Sequence, residues 1–187
     1  MLKIVLLSVF LSVGLAANIN DLYGTFTSVV AFQKSPTPIC AKYSFAEDPS
    51  KVQCTCSDGT KTTLVEIKAL ERLEPLQTEI PPVTVSGPIL LVDKVEDLAQ
   101  LLNVTCDCAG KEYEYRSVIK IVNENYILAY VGNGPRAAVA NQDFLLARNL
   151  PTAALLAGVT TTTAEIKDRI QTVLCTSEIY ETLRPKN

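Results

Sequence analysis

The run Glu112-Tyr113-Glu114-Tyr115-Arg116-Ser117-Val118-Ile119-Lys120-Ile121 decides the fold class. Tyr113, Tyr115, Ser117, Ile119 and Ile121 fall on one side of an extended chain. Glu112, Glu114, Arg116, Val118 and Lys120 fall on the other. Successive side chains of a strand point to opposite faces, so this alternation marks a strand buried on one side. Asn123-Glu124-Asn125 turns the chain into the apolar run 126–131, and 143–148 is a further strong strand.

Working upstream, the same pattern recurs. In 23–32 the side chains of Phe26, Ser28, Val30 and Phe32 share a face. In 40–45 Ala41, Tyr43 and Phe45 form the apolar side, which leaves Cys40 and Lys42 opposite. A third strand, 52–56, ends in the turn signal Ser57-Asp58-Gly59 and returns as 62–70, where Val65, Ile67 and Ala69 line up. Pro81 and Pro82 precede a fifth strand over 83–91.

Two stretches carry a helical signature. Asp93 and Glu96 have capping-box spacing, with Val95, Leu98 and Leu102 on one face, which predicts a short helix over 93–102. Thr162 and Glu165 form a second capping box ahead of Ile166, Ile170, Val173 and Leu174, which predicts a helix over about 163–175. Eight sequential strands with one helix after the last describe an all-β, eight-stranded antiparallel up-and-down β-barrel (a calyx) with a C-terminal α-helix packed outside. A sandwich of two sheets is the runner-up and accounts poorly for the terminal helix.

The composition narrows the chemistry. The chain has 187 residues, 48% hydrophobic, with 20 acidic against 17 basic side chains, no His and no Trp. A net charge of -3 argues against a nucleic-acid partner, which needs a clustered basic face. Absent histidine excludes Ser–His and Cys–His catalysis, histidine-ligated haem and most zinc sites. The expectation is a binding protein, not an enzyme, with no metal and no required cofactor.

Lys3, the apolar run 4–13, and the small residues Gly14 and Ala16 read as a signal peptide over 1–16, too short to span a bilayer. The remaining 17–187 is read as one barrel domain of a secreted, extracellular protein without a membrane span. Six cysteines in such a chain point to disulfides. Cys54-Thr55-Cys56 and Cys106-Asp107-Cys108 are spaced too closely for the usual zinc knuckle. Each CxC is followed by a Gly and a Lys, a weak internal echo of one chain reversal. Asn103-Val104-Thr105 is an N-glycosylation sequon, which makes Asn103 the candidate glycan site.

With these elements in place the chain resembles the lipocalin family. Leu22-Tyr23-Gly24-Thr25-Phe26 is similar to the Gly-x-Trp motif of the first lipocalin strand, with Phe in place of Trp. The turn 121–126 keeps the Tyr of the Thr-Asp-x-x-Tyr motif but not its Thr-Asp pair. Phe144-Leu145-Leu146-Ala147-Arg148 is similar to the last-strand motif that ends in Arg. The resemblance, collinear along the mature chain and strongest toward insect bilin-binding proteins, implies that Phe26 and Arg148 stack at the closed end of the barrel. It also implies a disulfide between Cys40 and Cys175, which suits the outward face given to Cys40. In the meander of such a barrel the third-to-fourth and fifth-to-sixth connections both lie at the open end. Cys54 and Cys56 are therefore expected to cross-link Cys106 and Cys108, pairing undecided, and to clip the mouth.

The expected function is extracellular binding or transport of a small hydrophobic ligand: a bilin, retinoid, fatty acid, sterol or volatile signal. Pocket candidates are Val30, Phe32, Tyr43, Phe45, Val65, Ile67, Val85, Tyr113, Tyr115, Ile119, Tyr126, Leu128 and Phe144, apolar surfaces with several hydroxyl tips. Lys42, Lys61, Lys111 and Arg116 are candidate partners for a ligand carboxylate, against the plainer reading of solvated surface charges. The alternative is a secreted structural or interaction protein with a filled barrel. A third class, an isomerase-like enzyme, would need a free reactive Cys.

Overall fold

A computed structural model describes residues 18–32, 38–75, 83–92, 104–114, 117–131 and 142–185. The signal segment 1–16, the helix expected over 93–102, the sequon residue Asn103, and Tyr115 and Arg116 lie outside the described residues. The elements in chain order are β1 (Gly24–Ala31), β2 (Cys40–Glu47), β3 (Gln53–Cys56), β4 (Lys61–Leu73), β5 (Thr84–Leu91), β6 (Thr105–Cys108), β7 (Lys111–Glu114), β8 (Ser117–Ile121), β9 (Tyr126–Val131), β10 (Gln142–Ala147), α1 (Ala153–Thr162), β11 (Thr172–Val173) and α2 (Ser177–Leu183). A short 3-10 turn, Ile19–Leu22, precedes them.

The molecule is mostly β and contains a closed barrel, but the ring has seven strands: β1, β2, β4, β5, β8, β9, β10 and back to β1. The pairings are antiparallel except between β5 and β8, where Ile89 stands opposite Ser117 and Leu91 opposite Ile119 in a parallel pair. The expected eight-stranded meander is corrected at two points.

The first concerns the third strand. β4 has 13 residues, and its edge is shared: β2 pairs with Val65–Leu73 and β3 with Lys61–Thr63. Between them the chain makes a small detour. Asp48 donates its N–H to the Leu64 carbonyl (3.3 Å) and the Leu64 N–H reaches the Val52 carbonyl (3.3 Å). Lys51 turns the detour with a left-handed φ of 51°. β3 is thus a continuation of β2 along one neighbour, and adds no stave to the ring.

The second concerns 112–121. Its first part, β7, pairs with β6 in a side sheet ordered β4–β3–β6–β7, and its second part, β8, enters the ring. The β6–β7 hairpin intervenes between β5 and β8, so the chain re-enters the barrel running the same way as β5. Parallel neighbours need such a long connection.

Three cores result. Phe26, Phe45, Val65, Ile89, Ile119, Ile127 and Leu146, one from each stave, form the barrel interior together with Leu22. A second cluster lies between the side sheet and the outer wall, where Cys54, Cys56, Cys106 and Cys108 pack on Leu64, Leu90 and Val118. The third lies outside β1, β9 and β10, under Leu156 of α1 and Ile166.

The helix expected over 163–175 is displaced. The helix is α1, which starts where the Thr152 hydroxyl accepts the Leu155 N–H (3.3 Å). Thr161 and Thr162 donate back to the Ala157 and Gly158 carbonyls (2.8 Å each) near its end. Beyond it the supposed apolar stripe divides: Ile166 is buried while Ile170 is 66% exposed. The reason is an unfilled sheet edge. β2 occupies only the first half of β1, so β11 pairs with Val30 and Ala31 instead of continuing a helix. α2 follows and meets the N-terminus of α1, where the Glu178 carboxylate accepts the Ala153 N–H.

Candidate functional site

The inner face of the barrel is built by alternation from the seven staves. At the end where β1 begins it is sealed. Leu22, the last residue of the 3-10 turn, is fully buried, and Phe26 meets Phe45 edge-on with centroids 5.7 Å apart. Arg148 lies over the Phe26 ring at 4.3 Å, in the contact implied by the resemblance. Its guanidinium also donates to the carbonyls of Tyr23 (2.9 Å), Glu124 (3.1 Å) and Asp21. A Cβ on Gly24 would come within 2.5 Å of Arg148 Nη1, and the residue has a left-handed φ of 126°, so glycine is required there.

Toward the start of β2, β5 and β10 the inner face changes. Tyr43, Ile67 and Phe144 pack against the interior cluster but are only half-buried, and Val85, opposite Ile67, is half-buried too. Burial pushes the Tyr43 phenol above its ordinary value, and Arg72 pulls it partly back. The phenol therefore stays neutral at physiological pH and remains a hydrogen-bond donor.

Of the expected pocket residues, the barrel interior gathers Tyr43, Phe45, Val65, Ile67, Ile119 and Phe144. It does not gather Tyr126 or Leu128, which pack outside beneath α1, because Ile127 and Ala129 hold the inner face of β9. Val30 and Phe32 also belong to the outer cluster: the register of β1 against β10 shifts between Ser28 and Val30 and reverses the face. Tyr113 packs under the side sheet. Sequence reading missed Ile89, Ile127, Ala129 and Leu146 on the inner face: Ile127 and Ala129 because the other face of β9 was chosen, Ile89 and Leu146 although they share a face with Val85 and Phe144.

All six cysteines are paired: Cys40–Cys175, Cys54–Cys108 and Cys56–Cys106. No thiol is left for cysteine-nucleophile chemistry. Cys40 and Cys175 meet where β2 leaves the edge of β1 and the terminal segment takes over, with the Leu174 N–H on the Val29 carbonyl (2.9 Å). The two CxC segments do cross-link each other, as directly opposed residues of β3 and β6. Their place differs from the expected one: β3 carries on past the end of β2 where Phe45 faces Gly24, so the clip lies off the Phe26 end and not at the opposite rim.

Of the cations considered for a ligand carboxylate, Lys42 faces outward to Glu71 (3.0 Å), and Lys61 and Lys111 belong to the side sheet. Among the described residues no group of three or more His, Cys, Asp or Glu is arranged to hold a metal ion. No helix among them is long and apolar enough to cross a membrane. No family model matches the chain, and no curated protein matches it.

Proposed function

We propose that this protein binds a small molecule with an apolar body in the half of the barrel away from Phe26 and carries it outside the cell, in the manner of the lipocalins it resembles. A retinoid, fatty acid, bilin or similar lipophile is the expected class, held without a resident cofactor and without catalysis. The observation that supports this is the contrast along one inner face. Phe26, Phe45 and Ile127 are sealed from water, whereas Tyr43, Ile67, Val85 and Phe144 present half-buried apolar surface. Each such side chain gains roughly 25 cal/mol per Å² when a ligand removes the rest of its surface from water. Three disulfides are consistent with an extracellular protein.

The second reading, a secreted interaction protein with a filled barrel, is supported by the interior cluster itself, which draws side chains from all seven staves. A seven-stranded ring is also narrower than one of eight. Titration with a fluorescent fatty acid and a retinoid, with native mass spectrometry of protein from its source, decides between them. Binding tighter than about 100 µM, roughly 5.5 kcal/mol, is expected. Its absence for both probes, with no bound mass, would leave the filled barrel.

A further inference from the structure

The β2–β4 ladder carries a register shift between Lys42 and Tyr43. Tyr43 stands opposite Ala69, but the next residue down β2, Lys42, stands opposite Glu71. Leu70 is therefore an extra residue in β4, bulged out and 45% exposed. The bulge reverses the faces of everything after it. Ala69 shares the inner side with Tyr43. Without the bulge Glu71 would follow it inward and Arg72 would point out. With it, Glu71 turns outward, where it meets Lys42 (3.0 Å) and the Tyr180 hydroxyl of α2 (3.2 Å). Arg72 is placed opposite Ala41, on the inner side of β2, next to Tyr43 along the barrel wall.

We propose that Arg72 and Tyr43 form an anchor for a carboxylate, so that the ligand of this barrel is an amphipathic acid whose apolar tail runs inward over Ile67, Val85 and Phe144. This rests on the carrier reading above and narrows it, favouring acids over sterols and neutral volatiles. The Arg72 side chain is 44% exposed, so an entering ligand reaches it without unfolding the wall. Its guanidinium already carries a carboxylate, that of Glu74, on Nε. The remaining N–H donors of the fork suit a second carboxylate, since a guanidinium has five donors and binds such groups side-on. The neutral Tyr43 phenol adds one more donor from the neighbouring strand. Glu74, as the resident acid, competes with the ligand and sets its affinity.

The test compares dansylaminoundecanoic acid with its methyl ester on the full mature, disulfide-bonded protein. The acid should bind about tenfold more tightly than the ester, the effect of one charge-assisted contact. Arg72→Gln should abolish that preference while leaving ester binding in place, which shows that the cup remains folded. Tyr43→Phe should reduce it severalfold, and Glu74→Gln should raise acid affinity severalfold by removing the competitor. Equal binding of acid and ester to the unaltered protein, or an unchanged acid affinity in Arg72→Gln, would overturn the anchor while leaving the carrier intact. Failure of both probes to bind overturns the anchor and the carrier together.

Discussion

The barrel and the side sheet solve the same problem with different means. The ring closes on itself and buries large side chains from every stave, with Phe26, Ile89, Ile119 and Ile127 at 1% exposure or less. The side sheet has four-residue strands, β3, β6 and β7, and four of the seven buried residues in its cluster are cysteines. Short strands bury too little apolar surface to offset their ordering entropy, so two cross-strand disulfides hold them instead. The exposed faces of those strands carry Gln53, Thr55 and Asp107, whereas both disulfides lie on the buried face. Apolar burial scales with enclosure, and a sheet that cannot enclose a core needs covalent ties.

That contrast can be broken from either side. The largest effect is expected from Phe26→Ala, which empties the barrel floor and removes the platform for Arg148. It should cost about 3–5 kcal/mol and lower the midpoint of the whole unfolding transition in urea. Replacing both CxC disulfides with serines should cost roughly 2–4 kcal/mol, about the effect of one cross-link, because their loops are nested and the second closes little further chain. Here hydrogen exchange is the sharper measurement: amides of β3, β6 and β7 should lose protection while those of β9 and β10 keep it. Uniform loss across both regions would show one cooperative unit, not two. Arg148→Met should cost about 2 kcal/mol, through the lost ring contact and the hydrogen bonds to Tyr23 and Glu124, and thermal melts will show whether it does.

The smallest effect concerns the turn that follows α1, pinned to the wall by two ion pairs, Lys120–Glu165 and Arg169–Asp143. Hydrogen bonding from Lys120 holds the Glu165 carboxyl below its ordinary value, so its contribution is present above the ordinary glutamate range and lost as pH falls through the depressed value. Burial raises Asp143 despite Arg169, so the folded protein takes up that proton more readily than the unfolded chain. Acidification through the raised value therefore favours the fold at Asp143 and disfavours it at Glu165. Melting temperatures taken between about pH 6 and pH 3 should fall less steeply in Lys120→Gln than in the unaltered protein, and more steeply in Asp143→Asn. A parallel shift of all three curves would assign neither group a role.

Much of this was legible in the residues, and the failures are informative. Seven of the eight expected strands are single strands, and the eighth, 112–121, divides between β7 and β8; period-two patterning is a local property that burial on one face imposes, and it does not show where a strand changes sheet. The Cys40–Cys175 pair was implied by the lipocalin resemblance, and the CxC segments cross-link each other as that barrel plan implied, though not at the mouth it gave them. What failed were faces and neighbours: Val30 and Phe32 changed side at the irregularity in β1, and Tyr126 and Leu128 at a register one residue off. The candidate anchor was not legible: the strand read over 62–70 stops short of Arg72, and it is the Leu70 bulge that places Arg72 on the inner side.

By itself, then, the amino-acid sequence determined a mostly β chain, its turns, its disulfide economy and the apolar stock of its cores. These follow from local periodicity and from residue chemistry. Tertiary structure alone decided that β3 extends β2 instead of adding a stave, that β5 and β8 run parallel, and which side chains face inward. Strand pairing is a contest among edges distant in sequence, and a single inserted residue reverses a face. Neither has a signature in the local pattern of side chains.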